Sequence, residues 1–436
     1  MKVLKIQKIP KILIDLKFSI LILALIAFAS SFGSFIEQDE PKNFYEINYP
    51  LEKPIYGFVN SKLILTLGLD HVYNTWWFLL LLLILGLSLI GCTLTRQFPL
   101  VQNSKEYFFR KQSNSFLKLP FSIKLKKNFY LKELILSKLQ KLNLYIYQKG
   151  ELIYGYKGLI GRISPILVHV SLIIILGGST LGAFKNFKAQ EILPKGEVFH
   201  IQNPLKIGRL TPLPNITTRV NEFWVDYKNN KINQFYSNLS ILDNYGNELK
   251  NQTISVNNPI RFNNIDFYQS DWNLLGIRIK SDNKISEIPL FPLKDKTKSW
   301  ITWIENKEGK SNTLIFDQLQ NIFSVYDDKG NFIKSSNIGD ILFNKQIIDI
   351  IPATGLQIKY DPSIPIIYTG FGLLMITAFL SYLPYTQIWI YNQKNSCWLG
   401  TITNRGKINL EIEFENLIRE IENSLFRTAF KKKKTF

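Results

Sequence analysis

Four stretches of the chain lose all alternation of polar and apolar positions and become almost wholly apolar. They read FSILILALIAFASSFGSF from Phe18, WWFLLLLLILGLSLIGCT from Trp76, GRISPILVHVSLIIILGGSTLGAF from Gly161 and IPIIYTGFGLLMITAFLSYL from Ile364. Each approaches the ~20 residues an α-helix needs to cross a bilayer. The pattern predicts four transmembrane helices over 18–35, 76–95, 163–184 and 364–383. The first has too long an apolar core and too weak a cleavage signal for a secretory leader, so it reads as an uncleaved anchor.

Between the third and fourth stretches the period changes. Runs such as NQFYSNLSILD and IRFNNIDFYQSDW are short, rich in Ile, Phe and Tyr, and partly alternating, the signature of half-buried strands. Turn signals punctuate them at Lys228-Asn229-Asn230, Asp243-Asn244-Tyr245-Gly246, Asn257-Asn258-Pro259, Asn306-Lys307-Glu308-Gly309 and Asp327-Asp328-Lys329-Gly330. The expected fold class is a membrane protein with four transmembrane α-helices and a large exported β-rich domain, an antiparallel sandwich or open barrel, between helices 3 and 4. The segments are then 1–17, a 36–75 loop, a 96–162 loop, the 185–363 β domain and a 384–436 tail. Leu131 to Leu142 has the spacing of an amphipathic helix, expected to lie near the membrane surface.

Charge fixes an orientation. Residues 1–17, 96–162 and the tail after Leu383 hold 28 Lys/Arg against 9 Asp/Glu, which is the whole net charge of +19. In a four-helix topology these segments share one side, as the positive-inside rule requires. Both termini and the 96–162 loop then face the cytoplasm or stroma, and the 36–75 loop and β domain face the opposite compartment. The basic run Lys431–Lys434 reads as a topology anchor beside anionic lipid, with no nucleic acid implied. The two cysteines, Cys92 and Cys397, fall on the positive side or at its membrane edge and form no CxxC pair, so the exported region performs no thiol exchange of its own. Abundant Lys, Ile and Asn with scarce Ala match AT-rich codons, as in an organellar genome.

No GxSxG, P-loop, HExxH or CxxC occurs, so no catalytic residue is assigned. The chemistry candidate is His169, inside the third apolar stretch, because an ionisable group in hydrocarbon is costly and usually functional. At 100° per residue Ser164, Ser171, Gly178 and Gly182 lie within about 40° of one another, a small-residue stripe for close helix packing. His169 points about 160–180° away, among Pro165, Leu172, Ile173 and Leu176. Two readings stay open: a hydrogen bond to a polar group on another helix, or ligation of haem iron by neutral imidazole against an apolar wall. His71, just before Trp76-Trp77, is either an interfacial residue or a second ligand. His200, in the β domain, reads as a surface residue.

Five stretches carry a resemblance: Leu69-Asp70-His71-Val72-Tyr73 with Thr75-Trp76-Trp77; Gly91 to Gln97 (GCTLTRQ); Gly161-Arg162-Ile163 with Pro165 to His169; Tyr268 to Trp272 (YQSDW); and Thr354 to Pro362 (TGLQIKYDP). In this order, and with four spans, the chain resembles the ResB/CcsB family of System II c-type cytochrome biogenesis, most of all its plastid-type members. Ser164 stands where the family usually has Gly, and Glu37 where its FGSxIPQ-like stretch usually has Pro. The resemblance implies a CcsA-type polytopic partner with a tryptophan-rich haem-handling motif, absent here. It implies transient haem, shared with that partner and carried across the membrane for attachment to apocytochromes c, namely cytochrome f and soluble c-type cytochromes. It implies a plastid (chloroplast) thylakoid membrane with the termini in the stroma and the large domain in the lumen, a cyanobacterial membrane being the alternative. It implies that His169, and less directly His71, ligates haem iron.

On this reading the protein is a scaffold and haem relay of a haem-lyase complex, contributing proximity. The competing reading is a membrane-anchored assembly factor that holds apoprotein and never touches haem. A transporter is disfavoured by four spans without inverted repeats or a polar pore lining.

Overall fold

A computed structural model describes residues 10–433 apart from 56, 106–107, 127–130, 202–203, 229–230, 282–283, 294–298, 306–308, 318–321 and 394. The turns expected at 229–230 and 306–308, residues 1–9 of the basic N-terminus and Lys434 of the basic run lie outside the described residues. The chain forms two compact units: one of Met1–Ile36, His71–Thr180 and Ile364–Phe436, the other of Glu37–Asp70 and Leu181–Ser363.

Four helical stretches, Leu16–Phe35, Trp76–Gln102 (regular α-helix over Trp76–Cys92), Leu159–Lys185 and Ile364–Ser381, have the length and composition to cross a bilayer. Asp15 caps the first and Thr75 the second, each side-chain oxygen accepting a first-turn N–H. Leu21, Phe28, Leu83, Phe371, Met375 and Phe379 are bare apolar surface, stable where hydrocarbon covers them. Polar atoms on these helices are satisfied locally: the Ser19 and Ser88 hydroxyls meet at 2.7 Å, and Ser88 donates to the Leu13 carbonyl at 2.6 Å. The Tyr73 ring occupies the space a side chain at Gly33 would fill.

The β unit between the third and fourth helices is antiparallel throughout its described ladders. Its centre is a pair of long strands, Ile265–Ser281 and Lys345–Tyr360, in a seven-stranded sheet. Three register shifts along that pair bend it, so it serves two cores. Phe267, Leu356 and Ile358 pack with Val220, Leu239 and Ile241 of a four-stranded sheet. Trp272, Ile277 and Ile347 pack with Trp300, Leu314 and Phe323 of a five-stranded sheet. At the first register shift lies a buried polar knot: Ser237 donates to Gln269 Oε1 (2.5 Å) and meets Thr354 Oγ1 (2.8 Å), which also reaches Gln269 Oε1 (2.9 Å). Asp243 and Asp327 close their turns by accepting backbone N–H groups, with Gly246 and Gly330 at positive φ. Tyr45, fully buried, donates to the Glu37 carbonyl at 2.5 Å, and burial pushes its phenol up to about 12, which keeps that donor in place.

The basic loop and the tail hold more structure than their charge suggests. Phe121–Lys126, Ser396–Thr403, Thr386–Asn392, Leu152–Lys157 and Tyr145–Lys149 pair in that order as one antiparallel sheet. The helix expected at Leu131 to Leu142 forms over Leu131–Lys141, but its apolar face is not free for a membrane. Leu131, Ile135 and Leu139 are buried against the sheet and against Phe414, Leu417 and Ile421 of the C-terminal helix Lys407–Lys433. Lys138–Glu420 (2.6 Å) and Lys157–Glu413 (2.7 Å) close the rim of this small α/β layer. Cys397 is fully buried in it, an inert core thiol, while Cys92 is half-buried.

This interdependence gives a prediction. Truncation after Leu383 removes two of the five strands and the helix that covers Ile135 and Leu139. Limited proteolysis of the truncated chain should then cut within 121–157, which the parental chain protects. Unchanged protection there would show that the tail is only a surface extension.

Candidate functional site

The site is organised by a break in the second apolar helix. After Cys92 the helix widens into a π-turn over Thr93–Gln97, closed by the Phe98 N–H on the Thr93 carbonyl, and continues as Phe98–Lys105. The cause lies just beyond. Pro99 has no N–H to give, and its ring would press on the carbonyl four residues back, so one extra residue per turn relieves the clash. The widened turn presents Thr93 and Gln97 on one side, a full turn apart.

They hold His169. Thr93 Oγ1 lies 2.9 Å from Nδ1, and Gln97 Nε2 lies 3.1 Å from Nε2. The proton positions follow from the donors. Thr93 has one hydroxyl proton and gives it to the Leu89 carbonyl at 2.7 Å. Towards His169 it can only accept, so the ring carries its proton on Nδ1. Nε2 is then a lone pair, capped by the donating amide of Gln97. Gln97 Oε1 is buried without a hydrogen-bond partner. The imidazole is half-buried, with Pro165, Leu172, Ile173 and Leu176 half-buried along the same helix.

The opposite face of the third helix does what small residues predict. Ser164 and Ser171 are fully buried, each hydroxyl turned onto the carbonyl one turn back. A Cβ on Gly178 would lie 2.9 Å from Ile367 of the fourth helix, and one on Gly370 would lie 2.6 Å from Ile175 of the third. At the helix start a Cβ on Gly161 would collide with the Leu383 carbonyl. The third helix is thus held between the second and the fourth, with His169 turned towards the second.

His71 is elsewhere. It is exposed, at a backbone kink (φ −147°, ψ 49°) before the Thr75 cap of the second helix. Trp76 and Thr93 are one helix length apart, about 25 Å at 1.5 Å per residue. His71 and His169 therefore stand at opposite ends of the same helix and cannot ligate one iron. His200 is exposed, with Nδ1 3.1 Å from Thr217 Oγ1. Thr93 and Gln97 were not singled out from sequence as partners of His169; the available signal was a cluster of polar residues, TLTRQ, closing an apolar span directly before a proline.

The other quoted stretches are structural joints. YQSDW pairs with the Thr354 segment: Tyr268 faces Gln357, and Asp271 faces Gly355, where a Cβ would lie 2.7 Å from Asp271. Asp361 accepts from the Ser363 N–H (2.9 Å) and hydroxyl (2.6 Å) just before the fourth helix. Glu37 accepts from the Tyr49 hydroxyl at 2.9 Å.

A family model for ResB-like proteins matches residues 16–332 and 306–415. The chain belongs to the ResB-like family. Among relatives of this ResB-like protein, "Cytochrome c biogenesis protein Ccs1" of Thalassiosira pseudonana is 44% identical over 421 residues, covering 95% of this chain and all of that one. The Ccs1 protein of Porphyra purpurea is 42% identical, covering 92% of this chain and 93% of that one. "Cytochrome c biogenesis protein CcsB" of Crocosphaera subtropica is 40% identical and covers 95% of both chains.

The packed face yields a prediction that separates it from the histidine face. Gly178→Leu drives a side chain into Ile366 and Ile367, an overpacking that should cost about 1–3 kcal/mol or more. The amount of folded protein in the membrane should fall, and its thermal midpoint in detergent with it. A parental midpoint would mean that the third and fourth helices do not meet at Gly178.

Proposed function

We propose that this ResB-like protein is the haem-relay and scaffold subunit of c-type cytochrome biogenesis. Its place in that process rests on the family and on relatives matched over nearly their whole length. The relay role rests chiefly on one observation. At bilayer depth the chain keeps a neutral imidazole whose Nδ1–H is tied to a fixed oxygen and whose Nε2 lone pair is covered only by a rotatable side chain. That is the protonation state and orientation of a metal-ligating histidine. The flanking Pro165, Leu172, Ile173 and Leu176 offer the apolar wall a porphyrin requires.

Haem is cargo here. His169 takes it near the basic side of the membrane, where the second helix ends in TLTRQ. His71, one helix length away, is a second and separate station on the far side. A CcsA-type polytopic protein completes the pathway, and the chain presents haem to apocytochromes c, cytochrome f and soluble forms among them. Thioether formation needs reduced substrate thiols and haem vinyls brought together, and the contribution proposed for this chain is that proximity. The setting is a plastid thylakoid membrane, the termini in the stroma and the β unit in the lumen, or the corresponding cyanobacterial membrane. The charge asymmetry supports that orientation.

Two measurements test this. Protease added on the lumenal side of sealed membranes should cut within 185–363 and spare the tail; cutting of the tail from that side overturns the orientation. His169→Ala should insert and accumulate, since Ala costs less than imidazole in hydrocarbon. The Soret absorbance of the purified complex and covalent haem on cytochromes should fall, and added imidazole should partly restore the Soret band. An Ala variant that keeps the parental Soret band and matures cytochromes at the parental rate leaves the apoprotein-holding factor as the answer.

A further inference from the structure

The arrangement around His169 contains one atom out of place. Gln97 Oε1 is buried and has no hydrogen-bond partner, although the same side chain spends its amide nitrogen on the His169 lone pair. An unpaired buried carbonyl is costly, and it makes this rotamer of Gln97 only weakly favoured over its alternatives. Thr93 is the reverse case. Its hydroxyl donates to Leu89, accepts from His169 and is fixed by a stiff β-branched rotamer in the π-turn. One side chain is bound from both directions, and the other is left half-satisfied.

We propose that Thr93 and Gln97 are the positioning residues of the His169 station: Thr93 is a fixed tether that sets the tautomer, and Gln97 is a displaceable cap that holds the ligand position until haem arrives. This rests on the reading of His169 as a haem ligand. When iron approaches, the Nε2 lone pair exchanges the Gln97 hydrogen bond for the Fe–N bond. No proton or electron is transferred, because Thr93 already keeps the ring proton on Nδ1. Gln97 rotates away and frees Oε1 to find a donor. When haem leaves, the amide returns, so the imidazole is never left with an uncovered lone pair in an apolar setting. The hydrogen bond lost on capture makes binding looser, as a relay that must pass its cargo on requires.

The two residues therefore have opposite signs, which a merely structural role would not give. The full-length tagged chain is isolated from membranes of a host that makes c-type cytochromes, loaded with ferric haem, and mixed with excess apomyoglobin. Release from Gln97→Leu should be about threefold to tenfold slower than from the parent, the effect of removing one competing hydrogen bond. Gln97→Met, flexible and apolar, should act alike if the Leu variant folds poorly. Release from Thr93→Val, which takes the hydroxyl acceptor from Nδ1–H and leaves it only the Leu89 carbonyl, should be faster by a similar factor. Gln97 variants that release His169-bound haem at the parental rate or faster overturn the cap.

A second readout needs no haem. Solid-state NMR of the chain with nitrogen-15 histidine, His169 being assigned by its loss in His169→Ala, should show Nδ1–H in the parent and a shift towards Nε2–H in Thr93→Val. An Nε2–H parent overturns the tether whatever haem does. A parent with the expected tautomer but no His169-dependent Soret band marks failure of the relay reading itself, and the cap falls with it.

Discussion

The close approach of the third and fourth helices is the constraint on which the site depends. Hydrocarbon gives apolar helices no hydrophobic reason to associate, so contact must come from shape. Here Gly178 and Gly370 remove side chains where a Cβ would lie under 3 Å from the facing helix, Gly161 makes room for the Leu383 carbonyl just past the end of the fourth, and Ser164 and Ser171 bury small hydroxyls turned onto their own backbone. That face admits little rotation. With it fixed, the 3.6-residue period sends His169 the other way, to the second helix. The histidine is positioned by residues that never touch it.

The second helix meets the demand through its own irregularity. A regular α-helix ending in TLTRQFP would clash at Pro99, and the π-turn that avoids the clash is the same turn that displays Thr93 and Gln97. Hydrogen bonds between membrane helices contribute on average only about 0.6 kcal/mol each. The pair around His169 therefore adds little to the helix contact. What it supplies is chemical definition: one tautomer, one nitrogen covered only by the Gln97 amide, and one direction of approach.

Much of this was legible in the residues, and the limits were physical. Apolar runs near 20 residues announce spans because the bilayer excludes alternatives. The period-two runs and Asx-type turns announce the β unit because Asp243 and Asp327 close their turns locally. The Ser164 to Gly182 stripe could be read because helix geometry is regular. What could not be read was pairing at a distance. The 96–162 loop and the tail look like solvated basic segments, yet Tyr154 pairs with Trp389 across more than two hundred residues, and Leu399 with Ile123. Leu131, Ile135 and Leu139 have the same spacing whether they face lipid or Phe414 and Leu417. For the same reason Thr93 and Gln97 did not declare themselves: a Thr or Gln at the end of a span is ordinarily an interfacial residue, and only the facing helix shows otherwise.

Distance also reshapes the reading of the two histidines. A pair of ligands to one iron would hold haem tightly in one place, which suits a resident cofactor. Two single histidines at opposite ends of one helix, about 25 Å apart, suit movement instead. In a relay each station must bind well enough to capture and poorly enough to release, and the difference between successive stations sets the direction. On the proposed relay, a tethered imidazole with a competing internal donor would meet that requirement. Its tautomer would be prepared, so capture would need no proton to be moved, and its lone pair would be contested, so retention would be moderate. A hydrogen bond contributing about 0.5–1.5 kcal/mol net changes occupancy by roughly twofold to tenfold. That is enough to bias transfer to the next site without trapping the cargo at this one.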